Sequence, residues 1–80
     1  MDSNLKKLLS RFNKKEREAI ELLIGRIVSF KWDALDVKKL KGYRDVFRVR
    51  KGDIRIIYRV QASQILVLAI ERRSEGTYKF

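Results

Sequence analysis

The sequence predicts an α+β fold, in which an N-terminal helical hairpin packs on one face of a small antiparallel β-sheet. Two observations support this class: apolar residues recur with helical spacing before residue 31, and they alternate with a period of two after residue 44. A chain of 80 residues can build only one core, so residues 1–80 are expected to form a single domain. With 45% hydrophobic residues, the chain is expected to fold.

Two helices are expected in the first 30 residues. A first, short helix is predicted by apolar residues at i, i+3, i+4 and i+7, namely Leu5, Leu8, Leu9 and Phe12, with Asp2 or Ser3 as its cap. Asn13 and Glu16 have the spacing of a capping box, which predicts that a second helix begins there and continues to about Phe30. Residues 31–43 are expected to form a connecting loop that turns some apolar groups inward.

Three strands are expected in the second half. Residues 45–51 and 54–60 alternate between apolar and basic residues on either side of Gly52, which predicts a hairpin. The run Ile65–Ile70 is apolar at every position, so it is interpreted as a central strand of the meander. Six apolar residues are too few to cross a bilayer, and the N-terminus has no apolar signal segment, so a cytoplasmic protein is expected.

Composition excludes several classes of site. The chain has neither Cys nor His, which excludes disulfides, the usual structural zinc sites, thiol nucleophiles and a Ser-His-Asp triad. Asp and Glu residues are scattered along the sequence, so no metal site is expected. No other cofactor is expected, because a domain of 80 residues is too small to bury a deep cavity for one. With 20 basic and 10 acidic residues the net charge is +10, which favours polyanionic partners.

The basic residues differ in kind between the two halves. Seven of the ten in residues 1–40 are Lys, whereas seven of the ten in residues 41–80 are Arg, whose planar guanidinium binds phosphate oxygens in pairs. Strand alternation places four of them on the face away from the helices, namely Arg48, Arg50, Arg55 and Arg59. Like charges on paired strands destabilise a sheet, so an anion-binding face is favoured, although a merely solvated face remains open.

Two segments resemble one known family. The runs VKKLKGYRDVFRVRKGDIRIIY (residues 37–58) and IERRSEGTY (residues 70–78) are similar to the RelE/ParE superfamily of toxins from toxin–antitoxin systems. The resemblance implies a RelE-like toxin that cleaves messenger RNA in the ribosomal A site and inhibits translation. ParE-like members share the fold and inhibit DNA gyrase instead, so that activity remains an alternative, as does a non-catalytic basic RNA-binding module.

Matching the nuclease pattern residue by residue implies a catalytic set without metal, in which the 2′-hydroxyl of the RNA is the nucleophile. The positions that match are Arg48, Arg50, Arg55, Arg72 and Tyr78. Further RNA contacts are expected from Lys41, Arg44, Arg59 and Arg73. Arg stands at both positions of the first pair where many nuclease members have Lys, which weakens proton transfer.

The resemblance also implies partners. An acidic, RelB-like antitoxin is expected to bind the toxin, and the ribosome and messenger RNA are the expected targets. Relatives usually begin with a strand, which this sequence lacks before its first helix. A sheet without that strand has an exposed edge, so a dimer through the edge is a further expectation.

Overall fold

The computed structural model describes residues 3–73. Two helices precede a four-stranded antiparallel sheet, which confirms the predicted α+β class. The elements are α1 (Ser3–Leu9), α2 (Lys14–Val28), β1 (Asp36–Lys39), β2 (Val46–Lys51), β3 (Ile54–Gln61) and β4 (Gln64–Arg72). Neither helix is both long and apolar enough to cross a membrane within the described residues.

The capping box at the start of α2 forms as the sequence predicts. The Asn13 side chain accepts a hydrogen bond of 2.8 Å from the backbone N–H of Glu16, and the Glu16 carboxylate accepts one of 3.0 Å from the backbone N–H of Asn13. The first helix is shorter than predicted, because it ends at Leu9. Phe12 therefore lies in the connection between the helices, yet its side chain is only 2% exposed.

The sheet has the order β1-β2-β3-β4, and this order corrects two predictions. Residues 36–39 form an edge strand, whereas a loop over 31–43 was predicted. This strand is four residues long and only Val37 is partly buried, so the sequence shows little alternation of apolar and polar residues there. Strand β4 lies at the opposite edge, whereas a central position was predicted for Ile65–Ile70. Its apolar residues do not require burial on both faces, since Leu66 remains 43% exposed.

One face of the sheet packs against both helices. The core contains Leu9 and Phe12, four residues of α2, and the residues of β2, β3 and β4 that point toward the helices: Ile20, Leu23, Ile24, Ile27, Val49, Ile56, Tyr58, Val67 and Ile70. The register of β3 with β4 shifts between Ile57 and Tyr58 and skips Leu68, so β4 carries a bulge. We call the sheet face turned away from the helices the open face.

Candidate anion-binding face

Four Arg side chains share the open face, as strand alternation predicts. In the register of β2 with β3, Arg50 is paired with Arg55, Arg48 with Ile57, and Val46 with Arg59. Directly paired residues project from the same side of a sheet, and their neighbours Val49 and Ile56 belong to the core on the other side. The sequence therefore places these guanidinium groups together by backbone pairing.

Carboxylates flank the two Arg residues that face each other. The register aligns Asp36, Arg50, Arg55 and Glu71 in one row across all four strands. The Nε atom of Arg50 lies 3.3 Å from Oδ2 of Asp36 in an ion pair. At the other end of the row, Oε2 of Glu71 lies 3.3 Å from Nη1 of Arg11. Positive charge is thus concentrated at the centre of the row and partly neutralised at its edges.

Arg48 is the most unusual group on this face. Its Nε and Nη2 atoms are buried and have no hydrogen-bond partner among residues 3–73. Burial lowers the pKa of Arg48, the charges of Arg50, Arg55 and Arg73 lower it further, and Asp36 opposes the effect. Unsatisfied buried donors are costly to a fold, so a guanidinium held in this way is suited to an incoming anion.

Arg73 joins these groups just beyond the end of β4. Its backbone N–H donates to the carbonyl oxygen of Asp53 at 2.6 Å, and its Nη1 donates to the carbonyl oxygen of Gly52 at 3.1 Å. These contacts hold it at the turn between β2 and β3, close enough to affect the Arg48 guanidinium. We call the four residues Arg48, Arg50, Arg55 and Arg73 the arginine cluster.

Arg72 is directed to the opposite side of the sheet. It pairs across the strands with Ile54, which packs against the helix-facing core. Its Nη2 and Nε atoms donate to the two carboxylate oxygens of Glu16 at 2.8 and 2.9 Å, and its guanidinium carbon lies 4.7 Å from the centre of the Phe12 ring. Arg72 therefore does not reach the arginine cluster, and its predicted catalytic role stays a prediction without support from this arrangement.

The Arg72 contact strongly affects the Glu16 carboxylate. Hydrogen bonds from the Arg72 side chain, followed by the backbone N–H of Asn13, lower the pKa of Glu16 to about 2. The same carboxylate closes the capping box of α2. Arg72 consequently ties the end of β4 to the start of α2, which is a structural role.

The other predicted RNA-binding residues lie at the margins of the face. Arg59 forms an ion pair of 3.2 Å with Asp45, and Lys41 and Arg44 are exposed in the connection between β1 and β2. Tyr78 lies outside the described residues. Within residues 3–73, no group of three or more Asp or Glu side chains could hold a metal ion.

One cation of the open face was missed by sequence reasoning. Lys38 is the direct partner of Arg48 in the pairing of β1 with β2, so it belongs to the same face. The missed strand β1 explains the omission, although the alternation of Asp36, Val37 and Lys38 was a usable signal. Tyr58, in contrast, lies on the core side, where it stacks with Phe47 and burial raises its pKa to about 12.

Comparison with known proteins supports the same class of fold. No protein-family model and no curated protein matches the chain. Among solved structures, a chain from the crystal structure of the RelB–RelE antitoxin–toxin complex of Methanococcus jannaschii is 27% identical, with a TM-score of 0.72. The match covers 91% of this chain and 88% of that chain. The fold is therefore a RelE-like α+β fold, and the resemblance to the RelE/ParE superfamily is confirmed.

Proposed function

We propose that this chain is the toxin of a type II toxin–antitoxin system and acts as a ribosome-dependent endoribonuclease on messenger RNA. The observation that carries the proposal is the arginine cluster on the open face of a RelE-like sheet. Like charges on paired strands destabilise a sheet, and Arg48 has buried donors without a partner among residues 3–73, so an incoming anion would stabilise this face. A phosphodiester is the anion that this geometry suits, because guanidinium groups bind its two non-bridging oxygens in pairs.

The reaction needs neither a metal nor another cofactor. The 2′-hydroxyl oxygen of the RNA attacks the adjacent phosphorus, the bond to the 5′-oxygen of the next nucleotide breaks, and a 2′,3′-cyclic phosphate and a 5′-hydroxyl result. One proton leaves the 2′-oxygen and one reaches the departing 5′-oxygen. Arg48 and Arg55 would stabilise the extra negative charge on the non-bridging oxygens, as fixed donors do in other phosphoryl transfers.

Proton transfer is the weaker part of this site. Arg has an ordinary pKa above about 12, and Tyr about 10, so both are inefficient acids and bases at neutral pH. Tyr78 is the residue proposed to orient the attacking hydroxyl group. Much of the acceleration must then come from the positioning of the message, which the ribosome would provide. This is why we expect little cleavage of free RNA.

The proposal includes an acidic antitoxin as partner. The net charge of +10 favours an acidic chain, and the solved relative is a chain of an antitoxin–toxin complex. A cytoplasmic location follows from a ribosomal target. A dimer through the sheet edge stays a prediction; among residues 3–73 the edge strands of the sheet are β1 and β4.

A non-catalytic RNA-binding module is the second candidate. The contact of Arg72 with Glu16 favours it, because this contact removes one of the five residues of the implied catalytic set from the open face. Under this alternative the arginine cluster binds RNA and the message remains intact.

Induced expression distinguishes these functions. We expect the wild-type chain to arrest translation and to produce discrete cuts in translated messages, mapped by primer extension. Arg55→Ala should abolish the cuts, whereas Arg26→Ala, on the exposed face of α2, should leave them unchanged. Arrest of translation without cuts would indicate a binding module, and arrest of DNA replication with intact messages would indicate a gyrase inhibitor.

A further inference from the structure

The open face also carries apolar residues, which the proposed cleavage does not use. Val46 and Ile57 are 0% and 1% exposed, yet neither belongs to the core cluster that packs against the helices. Val46 pairs with Arg59, and Arg59 pairs with Leu66, so these residues form one row across β2, β3 and β4. Ile57 pairs with Ala69 in the neighbouring row. We call Val46, Ile57, Leu66 and Ala69 the apolar patch.

The bulge in β4 brings Leu66 to this face. Residues three apart in a regular strand point to opposite sides, so Leu66 and Ala69 would not otherwise share a face. The register shift that skips Leu68 adds one residue between them, and both then pair with open-face residues of β3. Leu66 is therefore 43% exposed beside the basic residues instead of lying in the core. Bulges often redirect a side chain next to a functional site, so this arrangement indicates a use for the exposed leucine.

The apolar patch adjoins the arginine cluster. Ile57 is the direct cross-strand partner of Arg48, so their Cβ atoms lie about 5 Å apart. The row that contains Leu66 lies two residues further along β2 and β3, which corresponds to about 7 Å from the row of Arg48. A nucleotide joins a charged phosphate to a base with apolar faces over a comparable length. The two surfaces can therefore hold two parts of one RNA strand.

The two surfaces also differ in charge. In the row of Leu66, the Nε atom of Arg59 forms an ion pair of 3.2 Å with Oδ1 of Asp45. Arg48, in contrast, has buried Nε and Nη2 atoms without a hydrogen-bond partner among residues 3–73. A phosphate is therefore stabilised more strongly at the arginine cluster, whereas an uncharged planar group is stabilised more strongly where it covers apolar surface.

We propose that the apolar patch binds a nucleobase of a single-stranded RNA whose backbone phosphate occupies the arginine cluster. The base would cover the exposed side chain of Leu66 and lie beside the guanidinium of Arg59, a group that stacks on planar rings. Such a contact accepts any base, because every base has an apolar face. The inference rests on the proposed action on RNA, but it requires no cleavage, so binding alone can test it.

The probe is a short fluorescent oligouridine with 2′-O-methyl groups, which lacks the nucleophile and cannot be cleaved. Its control is an abasic oligomer of the same length, which keeps every phosphate and lacks every base. Binding of each oligomer to the full chain is followed by fluorescence anisotropy. We expect the wild-type chain to bind the oligouridine at least about fivefold more tightly than the abasic oligomer, because burial of apolar surface adds to the phosphate contacts.

Variants of Leu66 locate the contact. Leu66→Ser should weaken binding of the oligouridine at least about fivefold and leave binding of the abasic oligomer within about twofold of wild type. The slope of log K against log salt should stay unchanged, because no phosphate contact is lost. Leu66→Met keeps an apolar side chain of similar volume and should retain the wild-type affinity. Leu22→Ser is the matched control, because Leu22 is 76% exposed on α2, and it should bind both oligomers as the wild type does. The thermal unfolding midpoint of each variant verifies that it is folded.

Three results would overturn the inference: equal affinity of the wild type for both oligomers, equal loss of affinity for both oligomers in Leu66→Ser, or equal loss in Leu66→Ser and Leu22→Ser. A wild-type dimer that Leu66→Ser dissociates would also contradict it, because a second copy would then cover the apolar patch. Salt-dependent binding of the abasic oligomer without any contribution from the bases would contradict this inference alone and leave the proposed function in place. Failure of the wild-type chain to bind either oligomer would contradict both.

Discussion

Replacing Arg48 with Met should make the protein more stable and less able to bind RNA. The Nε and Nη2 atoms of Arg48 are buried without a hydrogen-bond partner among the described residues. A buried polar group left unsatisfied costs about 1–3 kcal/mol, and a like charge across a strand pair costs about 0.2–1 kcal/mol more. Met keeps most of the aliphatic stem and removes both costs. We therefore expect the free energy of unfolding to rise by about 1–3 kcal/mol.

Urea and thermal unfolding, followed by Trp32 fluorescence, measure this change. For a domain of this size, 1 kcal/mol corresponds to about 4–8 °C in the unfolding midpoint, so Arg48→Met should unfold at least about 4 °C higher than wild type. Arg26→Met is the matched control, because Arg26 is exposed on α2; its free energy of unfolding should stay within about 0.5 kcal/mol of wild type.

The same variant should bind RNA more weakly. With a 2′-O-methyl oligonucleotide, which lacks the nucleophile, the slope of log K against log salt should become less steep by about 0.7 if one phosphate contact is lost. A stabilised variant with weaker RNA binding would show that the folded state retains a destabilising group for function. A destabilised Arg48→Met, or an unchanged salt slope, would refute the reasoning.

Three further predictions concern the core and the contact between β4 and α2. Tyr58→Phe should raise the free energy of unfolding by about 1 kcal/mol in urea, because the buried hydroxyl has no hydrogen-bond partner among residues 3–73; a loss of stability would contradict this. Ile20→Ala should lower it by about 2–5 kcal/mol, because Ile20 is fully buried against the sheet, and a change below 1 kcal/mol would disagree with this packing. The pKa of Glu16 falls from 4.5 to about 2 on folding, so its stabilising contribution is complete above about pH 5 and is lost as the pH falls toward 2. In an acid titration of the unfolding midpoint, Glu16→Gln should therefore be less stable than wild type at pH 7, and the difference should shrink at low pH; a constant difference would exclude the ion pair as its source.

Patterns of neighbouring residues were sufficient to predict those elements whose defining residues lie close together in the sequence. Asn13 and Glu16 predicted the start of α2 correctly, because a capping box is formed by residues three apart. Alternation in β2 and β3 placed Arg48, Arg50 and Arg55 on one face, because the side-chain period of a strand is a property of the backbone itself.

Strand β1 and the position of β4 in the sheet could be established only from pairing between residues that are far apart in the sequence. Strand β1 is short and mostly exposed, so only its pairing with β2 reveals it and brings Lys38 beside Arg48. The apolar run of β4 does not indicate whether it lies at the centre or the edge of the sheet, since Leu66 can remain exposed at an edge.

The sequence by itself determined the fold class, the RelE-like resemblance and the basic character of the open face. Only the tertiary structure decided which Arg joins the arginine cluster: Arg73 lies at the turn between β2 and β3, while its neighbour Arg72 bonds Glu16 on the other side of the sheet. Arg72 is the last residue of β4 and Arg73 lies just beyond it, so which of the two reaches a given group depends on the register of β4 with β3 and on where β4 ends. That register is set by packing of the whole sheet against α1 and α2.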